Sequence, residues 1–184
     1  KRRPWPDWAE EKPNRIWIYD TTHWTTAGAA TTVISDVITR KWIADITSTD
    51  ETSVEVQAVF HRALIDEGID ELIKAANPEG TAWDPESDDI PVLLVMSDNG
   101  PQMTSGTTKE FMALAWLATH YGRPGTPTDQ AWIESLFGHL KGEHPHLEQI
   151  EDIDVLRAEL EIRRAHYNTV RLSHGVWNLS QHVA

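Results

Sequence analysis

The 184-residue chain contains no cysteine, which excludes a disulfide framework, thiol catalysis and cysteine-ligated zinc or iron–sulfur centres. A reducing compartment, the cytoplasm, is the expectation. No apolar run approaches the ~18 residues that a membrane-spanning helix needs, so no membrane is expected as a partner. The opening residues do not have the pattern of a secretory leader. Basic residues are scarce: 16 Lys and Arg stand against 29 Asp and Glu, for a net charge of −13. That argues against a free-standing nucleic-acid binder, because cationic contacts to phosphate supply most such affinity. It leaves open a catalytic domain that meets phosphates through metal ions. Phe and Tyr number only three each, whereas there are nine Trp, so indoles are the bulky core fillers. With 40% hydrophobic and 24% charged residues, the composition is that of one ordinary globular domain.

Residues 1–14 (KRRPWPDWAEEKPN) are charged and carry three prolines, so they read as a linker or arm without a helix. The first residue is Lys rather than Met, and an upstream part is expected. Ile16-Trp17-Ile18-Tyr19 reads as a buried strand ending at Asp20. The β-branched runs Thr31–Ile38 and Trp42–Thr47 read as a hairpin. Thr52 and Glu55 have capping-box spacing, and Val56, Val59, Phe60, Ala63 and Leu64 mark the inner face of a helix to about Gly68 or beyond. Residues 77–90 carry five acids and no base and read as a solvated loop. Val92–Met96 is wholly apolar, as in a central strand covered on both faces, and it stops at the turn Ser97-Asp98-Asn99-Gly100-Pro101. Thr107 and Glu110 suggest another capped helix, Leu117–Tyr121 a last strand, and Arg123–Asp129 a loop. A helix follows from about Gln130 with Ile133, Leu136, Phe137 and Leu140 inward. The last helix spans about Asp152–Asn168. This order predicts an α/β fold: a mixed five-stranded sheet with helices on both faces, its first three strands a meander and its later ones parallel.

Asp20 and Asp98 fall where apolar strands give out, and open α/β sheets gather ligands at such ends. If the strands are neighbours, the two carboxylates repel unless a cation lies between them. Oxygen donors of this kind favour Mg²⁺ or Mn²⁺. Glu134 lies about 110° from the centre of its helix's apolar stripe and can lean over a strand end. Lys141, two turns on, lies about 20° around from Glu134 and suits a neighbouring phosphate. Taken singly, each residue has a plainer reading: Asp-Asn-Gly is a common turn, Asp20 can cap one, and Glu134 can be solvated. The set is what points to chemistry. His120, His139, His144 and His146 suggest zinc, but the last two sit in what reads as an exposed loop with no second ligand pair.

Together these segments resemble a known family. Trp17-Ile18-Tyr19-Asp20-Thr21-Thr22 resembles the W-x-x-D-x-T opening of the retroviral-integrase-like catalytic core. Ser97–Ser105 resembles its S-D-N-G segment, and Gly125–Phe137 (GTPTDQAWIESLF) resembles the G-x-P-x-D-N-A-x-x-E-S-F-F stretch of bacterial insertion-sequence transposases. Asp98 and Glu134 are separated by 35 residues, the spacing of that family. Lys141 falls on its basic position, and Tyr167-Asn168-Thr169-Val170-Arg171 resembles its Y-N-x-x-R tail. Gln130 in place of Asn, Met103 in place of an aromatic and His174 one place late depart from the pattern. The resemblance spans residues 15–172, with 173–184 left as a C-terminal tail.

This resemblance implies an RNase H-like fold and a DDE recombinase. Asp20, Asp98 and Glu134 would be its catalytic and metal-binding triad, holding two Mg²⁺ or Mn²⁺ ions for in-line phosphodiester transfer. Lys141 would contact DNA phosphate, and Arg171 with it; Arg157, Arg163 and Arg164 are weaker candidates for the same contact, and for all four arginines surface pairing with Glu159 and Glu161 is the plainer reading. The partners implied are transposon ends, target DNA and further copies of the chain, with the protein on the nucleoid when acting. Given the net charge, this segment alone is expected to bind DNA poorly. Two rivals remain: a catalytically silent DNA-complex or oligomerisation module of the same fold, and an RNase H-like nuclease.

Overall fold

A computed structural model describes residues 5–98, 100–121 and 131–180, and the side chains of all of these except 132 and 171–180. Five strands form one sheet: β1 (Ile16–Trp24), β2 (Ala29–Asp36), β3 (Trp42–Ser48), β4 (Leu93–Ser97) and β5 (Leu117–Tyr121), in spatial order β3-β2-β1-β4-β5. The first three form an antiparallel meander, while β4 and β5 run parallel to β1. The architecture is the one that the element order predicts. The expected loop 123–129 lies outside the described residues.

Strand alternation divides the core between the two faces of the sheet. Trp17, Tyr19, Leu93 and Val95 pack on one side against Val56, Val59, Phe60, Ala63 and Leu64 of helix α1 (Ser53–Asp66). Thr52 caps α1 and forms the expected box with Glu55. The helix stops at Gly68, whose φ of +68° an L side chain rarely adopts. The chain resumes as a separate short helix α2 (Ile69–Ala76). Gly100 precedes a single turn, α3 (Pro101–Thr104), after which Ser105, rather than Thr107, caps α4 (Gly106–Leu114) by accepting from the Thr108 N–H. Thr107 instead donates to Ser53 Oγ.

On the opposite face, Ile16, Ile18, Leu94 and Met96 pack against Ile133, Leu136 and Leu140 of α5 (Ala131–Glu143) and Leu156 and Leu160 of α6 (Ile153–Ser180). Helix α6 is longer than the sequence suggests. It runs through Asn168 to Ser180, so Arg171 lies within it and the helix crosses into 173–184, the segment expected to be a tail. Nothing in 169–180 breaks a helix except Gly175, and an isolated Gly is tolerated there at about 1 kcal/mol. The arm is also more engaged than its prolines imply. Ala9 is 1% exposed, and Trp5 and Trp8 pack against the core. The buried carboxylate of Asp36 accepts from the Asn14, Ile38 and Thr39 N–H groups and so ties the arm to the β2–β3 turn.

Strand β3 is a sheet edge, and α6 covers it. Asn168 Oδ1 accepts from the Trp42 N–H at 2.9 Å, and its Nδ2 donates to the Trp42 carbonyl at 2.8 Å. One side-chain amide thus replaces a missing strand partner. Farther along, Arg157 donates from Nε and Nη2 to the Thr47 carbonyl at 3.0 and 2.8 Å. Unpaired edge groups invite pairing with another chain, and these two residues close that route. Tyr167 adds an edge-to-face contact with the Trp42 ring at 6.3 Å. Asn168→Ala leaves two Trp42 backbone groups unpaired in a buried setting and is expected to lower stability by about 1–3 kcal/mol, measured by urea denaturation.

Candidate active site

The β1–β4 register decides where the acids lie. Ile16 pairs with Leu94, Trp17 with Val95 and Ile18 with Met96. Continued by two residues, that register sets Asp20 beside Asp98, one strand spacing of about 4.8 Å apart. Alternation also fixes the face. Asp20 follows Ile16 and Ile18, Asp98 follows Leu94 and Met96, and all four apolar residues belong to the face that α5 covers. Glu134 is in the first turn of that helix and is exposed, next to the buried Ile133.

Each strand-end acid has one oxygen held by a neighbouring backbone donor. Thr21 N–H donates to Asp20 Oδ1 at 2.8 Å, and Gly100 N–H donates to Asp98 Oδ1 at 2.9 Å. Those bonds orient the carboxylates and leave most of their acceptor sites unused. The Asp20 carboxyl is pushed up to about 6, chiefly by burial and then by the negative charges of Asp98 and Glu134. The structure therefore brings all three acids into one electrostatic neighbourhood. Among the described residues, no three His, Asp or Glu side chains form a ready-made metal cage. The donor set nevertheless fits a hard divalent cation: it is all oxygen, and the ionised form of Asp20 is opposed by burial and by the neighbouring negative charges, which a cation relieves. Asp20 and Asp98 would be the inner pair and Glu134 the outer donor.

Lys141 is engaged within the fold. Its Nζ donates to the His23 carbonyl at 2.8 Å, pairs with Glu148 at 2.6 Å and lies 4.7 Å from the Trp24 ring centre. This cluster fastens the far end of α5 to the end of β1, and so sets the helix that carries Glu134. No local pattern announces it, because His23 and Trp24 are distant in sequence and Glu148 lies beyond the end of the helix. Arg163 pairs with Glu159 at 3.1 Å as expected. Arg157 pairs with Asp154 and Arg164 with Asp45, both at 2.8–2.9 Å, rather than with Glu161. The side chain of Arg171 lies outside the described residues. His139 pairs with Glu143 and His146 with Glu159.

The family profile described as integrase core domain matches residues 116–178, which include Glu134 but neither Asp20 nor Asp98. Among solved structures, the chain is similar to the cryoEM structure of the simian T-cell lymphotropic virus intasome in complex with PP2A regulatory subunit B56 gamma. Identity is 21% and the TM-score 0.54, over 72% of this chain and 40% of that chain. It is also similar to the crystal structure of the catalytic core domain of BIV integrase, at 19% identity and a TM-score of 0.51, over 78% of each chain. The fold is RNase H-like. The chain thus spans well under half of the intasome chain's length but most of the isolated BIV core. A comparison with curated proteins gave no match. No helix among the described residues is long and apolar enough to cross a membrane.

Gly100 is a further site residue for which pattern reading offers no structural reason. A Cβ there would stand 3.0 Å from Asp98 Oδ1 and 3.3 Å from Met103 Cγ. Gly100→Ala is expected to displace the Asp98 carboxylate and lower any metal-dependent activity, with under about 1 kcal/mol lost in a thermal unfolding assay because the backbone there (φ −56°, ψ 147°) suits alanine. Asp20→Asn removes a charge that is unfavourable without a cation. At neutral pH the metal-free variant should be more stable than the wild type by about 1–3 kcal/mol. Mg²⁺ or Mn²⁺ should raise the wild-type melting temperature more than that of the variant, in a metal titration followed by thermal unfolding.

Proposed function

We propose that this chain is the catalytic domain of a DDE transposase or integrase of the bacterial insertion-sequence type, cleaving DNA strands and transferring them in a metal-dependent reaction. The observation that carries the reading is the β1–β4 register, whose extension by two residues brings Asp98, just past the end of β4, beside Asp20 on the face that α5 covers. The integrase core profile and the RNase H-like fold support it.

In this reading Asp20 and Asp98 bind the divalent ions, two in the active complex, and Glu134 completes their oxygen ligands from the helix. When bound, Mg²⁺ or Mn²⁺ would activate water or a DNA 3′-hydroxyl and stabilise the departing 3′ oxygen. The backbone donors of Thr21 and Gly100 hold the carboxylates in orientation. The Lys141 cluster anchors α5, so Glu134 is offered from a rigid support. If Lys141 also contacts DNA, phosphate must compete with Glu148 for its ammonium; Arg171 is the other basic residue proposed for that contact. The partners would be element ends and target DNA, with two or more copies of the chain in the working complex. Its place would be the cytoplasm, on the nucleoid when acting.

The open arrangement of the three acids favours one alternative, a catalytically silent module of the same fold. One assay separates the readings: nicking of supercoiled plasmid in Mn²⁺, together with joining of a labelled oligonucleotide through its 3′-hydroxyl. The wild type is expected to nick and to join. Asp20→Asn, Asp98→Asn and Glu134→Gln should each lose more than about a hundredfold, since outer-shell partners alone carry up to that much. Full activity in any of them overturns the triad. Nicking without joining indicates a nuclease, and neither activity indicates the silent module.

A further inference from the structure

The least expected charge pattern in this acidic chain is a cleft at the β3 edge. A cavity of about 300 Å³ is lined by Arg62 of α1, Arg157 and Arg164 of α6, and Asp45, Thr47 and Glu161. That volume is at the lower end of ligand-sized pockets, about 300–1,000 Å³. Three guanidiniums gather there in a chain of net charge −13, with Asp45 and Glu161 in the lining and Asp66 and Asp154 paired to Arg62 and Arg157 beside it. The two helices approach from opposite faces of the sheet and meet around its edge.

The guanidiniums retain donors for a ligand. A guanidinium has five N–H groups. Arg164 directs Nη1 to Asp45 at 2.9 Å, and this pair is nearly buried, with side chains 15% and 13% exposed. Arg62 is exposed, and its contact with Asp66 is 3.6 Å, too long for a hydrogen bond. Arg157 is the structural member, since it serves Thr47 and Asp154. The cleft therefore has a fixed wall, Arg157 and Arg164, and an exposed cation, Arg62, in a longer ion pair with Asp66.

Its position relates it to the acids. Asp20 pairs with Val33, and Val33 pairs with Asp45, so the three form one row across the sheet on one face. Two strand spacings put Asp45 roughly 10 Å from Asp20. A duplex, whose major groove alone is about 12 Å wide, can reach both.

We propose that this arginine cleft binds a backbone phosphate of the DNA duplex engaged at the carboxylates, with Arg62 as the principal phosphate contact. The proposal rests on the DNA-handling function above. It adds a second point of attachment, away from the metal-binding acids, through which an acidic domain holds a polyanion.

The test is binding of the whole chain to a short duplex of arbitrary sequence, followed by fluorescence anisotropy across a salt series that begins at low ionic strength. Arg62→Glu should weaken binding severalfold and flatten the logarithmic salt dependence by about one phosphate contact, near 0.9 in slope. Arg62→Gln should give a smaller loss of the same kind and serves if the reversal does not fold. An unchanged affinity and slope in the folded variants overturns the proposal, as does a wild type that fails to bind even at low salt. Binding of poly-glutamate in preference to the duplex also overturns it, in favour of an acidic protein partner. Glu134→Gln separates this from the catalytic reading: it should lose nicking in Mn²⁺, while its duplex binding measured in EDTA keeps the wild-type salt dependence. If Glu134→Gln still nicks while Arg62→Glu flattens the slope, the triad fails and the cleft stands.

Discussion

Mutual repulsion between two carboxylates is the constraint on which the candidate site depends. Asp20 and Asp98 are adjacent because β1 and β4 pair in parallel with a register that their apolar residues fix. Moving that register by one residue would turn Ile16 and Ile18 out of one core and Trp17 and Tyr19 out of the other. The hydrophobic effect therefore holds the acids together against their charge. A cation is the simplest means of making that placement favourable, so under the proposed function a feature that looks like a defect of the protein alone would serve as a binding site for a divalent ion.

The rest of the sheet explains how so much polar chemistry is tolerated near it. Thr31 accepts from the Trp24 indole at 2.8 Å and shares a hydrogen bond with Thr47 at 2.7 Å, so a buried polar row is satisfied within itself. The arm, the β2–β3 turn and α1 are joined through Asp36, Asn14 and Glu67, where Lys41 also pairs. At the exposed edge, Asn168 and Arg157 complete the hydrogen bonds of β3 with side chains. The Tyr167-Asn168 pair, which in sequence is only part of a tail motif, thus acquires a physical role. It docks α6 along the sheet and stops the edge from pairing with another chain.

The strands are legible in the sequence because each is a short apolar run between polar breaks, and α1 and α5 because their stripes repeat at helical period. The acids are legible as a set because two end such runs and one flanks such a stripe. What stays hidden depends on distant partners or on a single atom's clearance. The docking of Trp5, Trp8 and Ala9 is masked by the prolines around them. The anchoring of Lys141 needs His23 and Trp24, and α6 runs on to Ser180, beyond the apolar stripe that the sequence shows for it. Gly100 is visible in sequence as a turn residue and as part of the S-D-N-G segment, whereas the physical reason for it is that a Cβ there would crowd the Asp98 carboxylate. None of these reasons has a local signature.

An acidic chain that handles phosphates must attract its substrate at a few points while its overall field opposes the approach. The fold meets this by pairing most of the cations among the described residues internally, so that few remain to draw nucleic acid without discrimination. Arg163 serves Glu159, and Lys41 and Lys74 serve neighbouring acids. In the proposed reading, attraction comes from ions held by Asp20 and Asp98 and from the arginines at the β3 edge, beside the contacts proposed for Lys141 and Arg171. Since the first exists only when the metal is bound, affinity for DNA becomes conditional on the same ions that the chemistry requires. A domain built in this way holds a polyanion weakly until it is equipped to act on it.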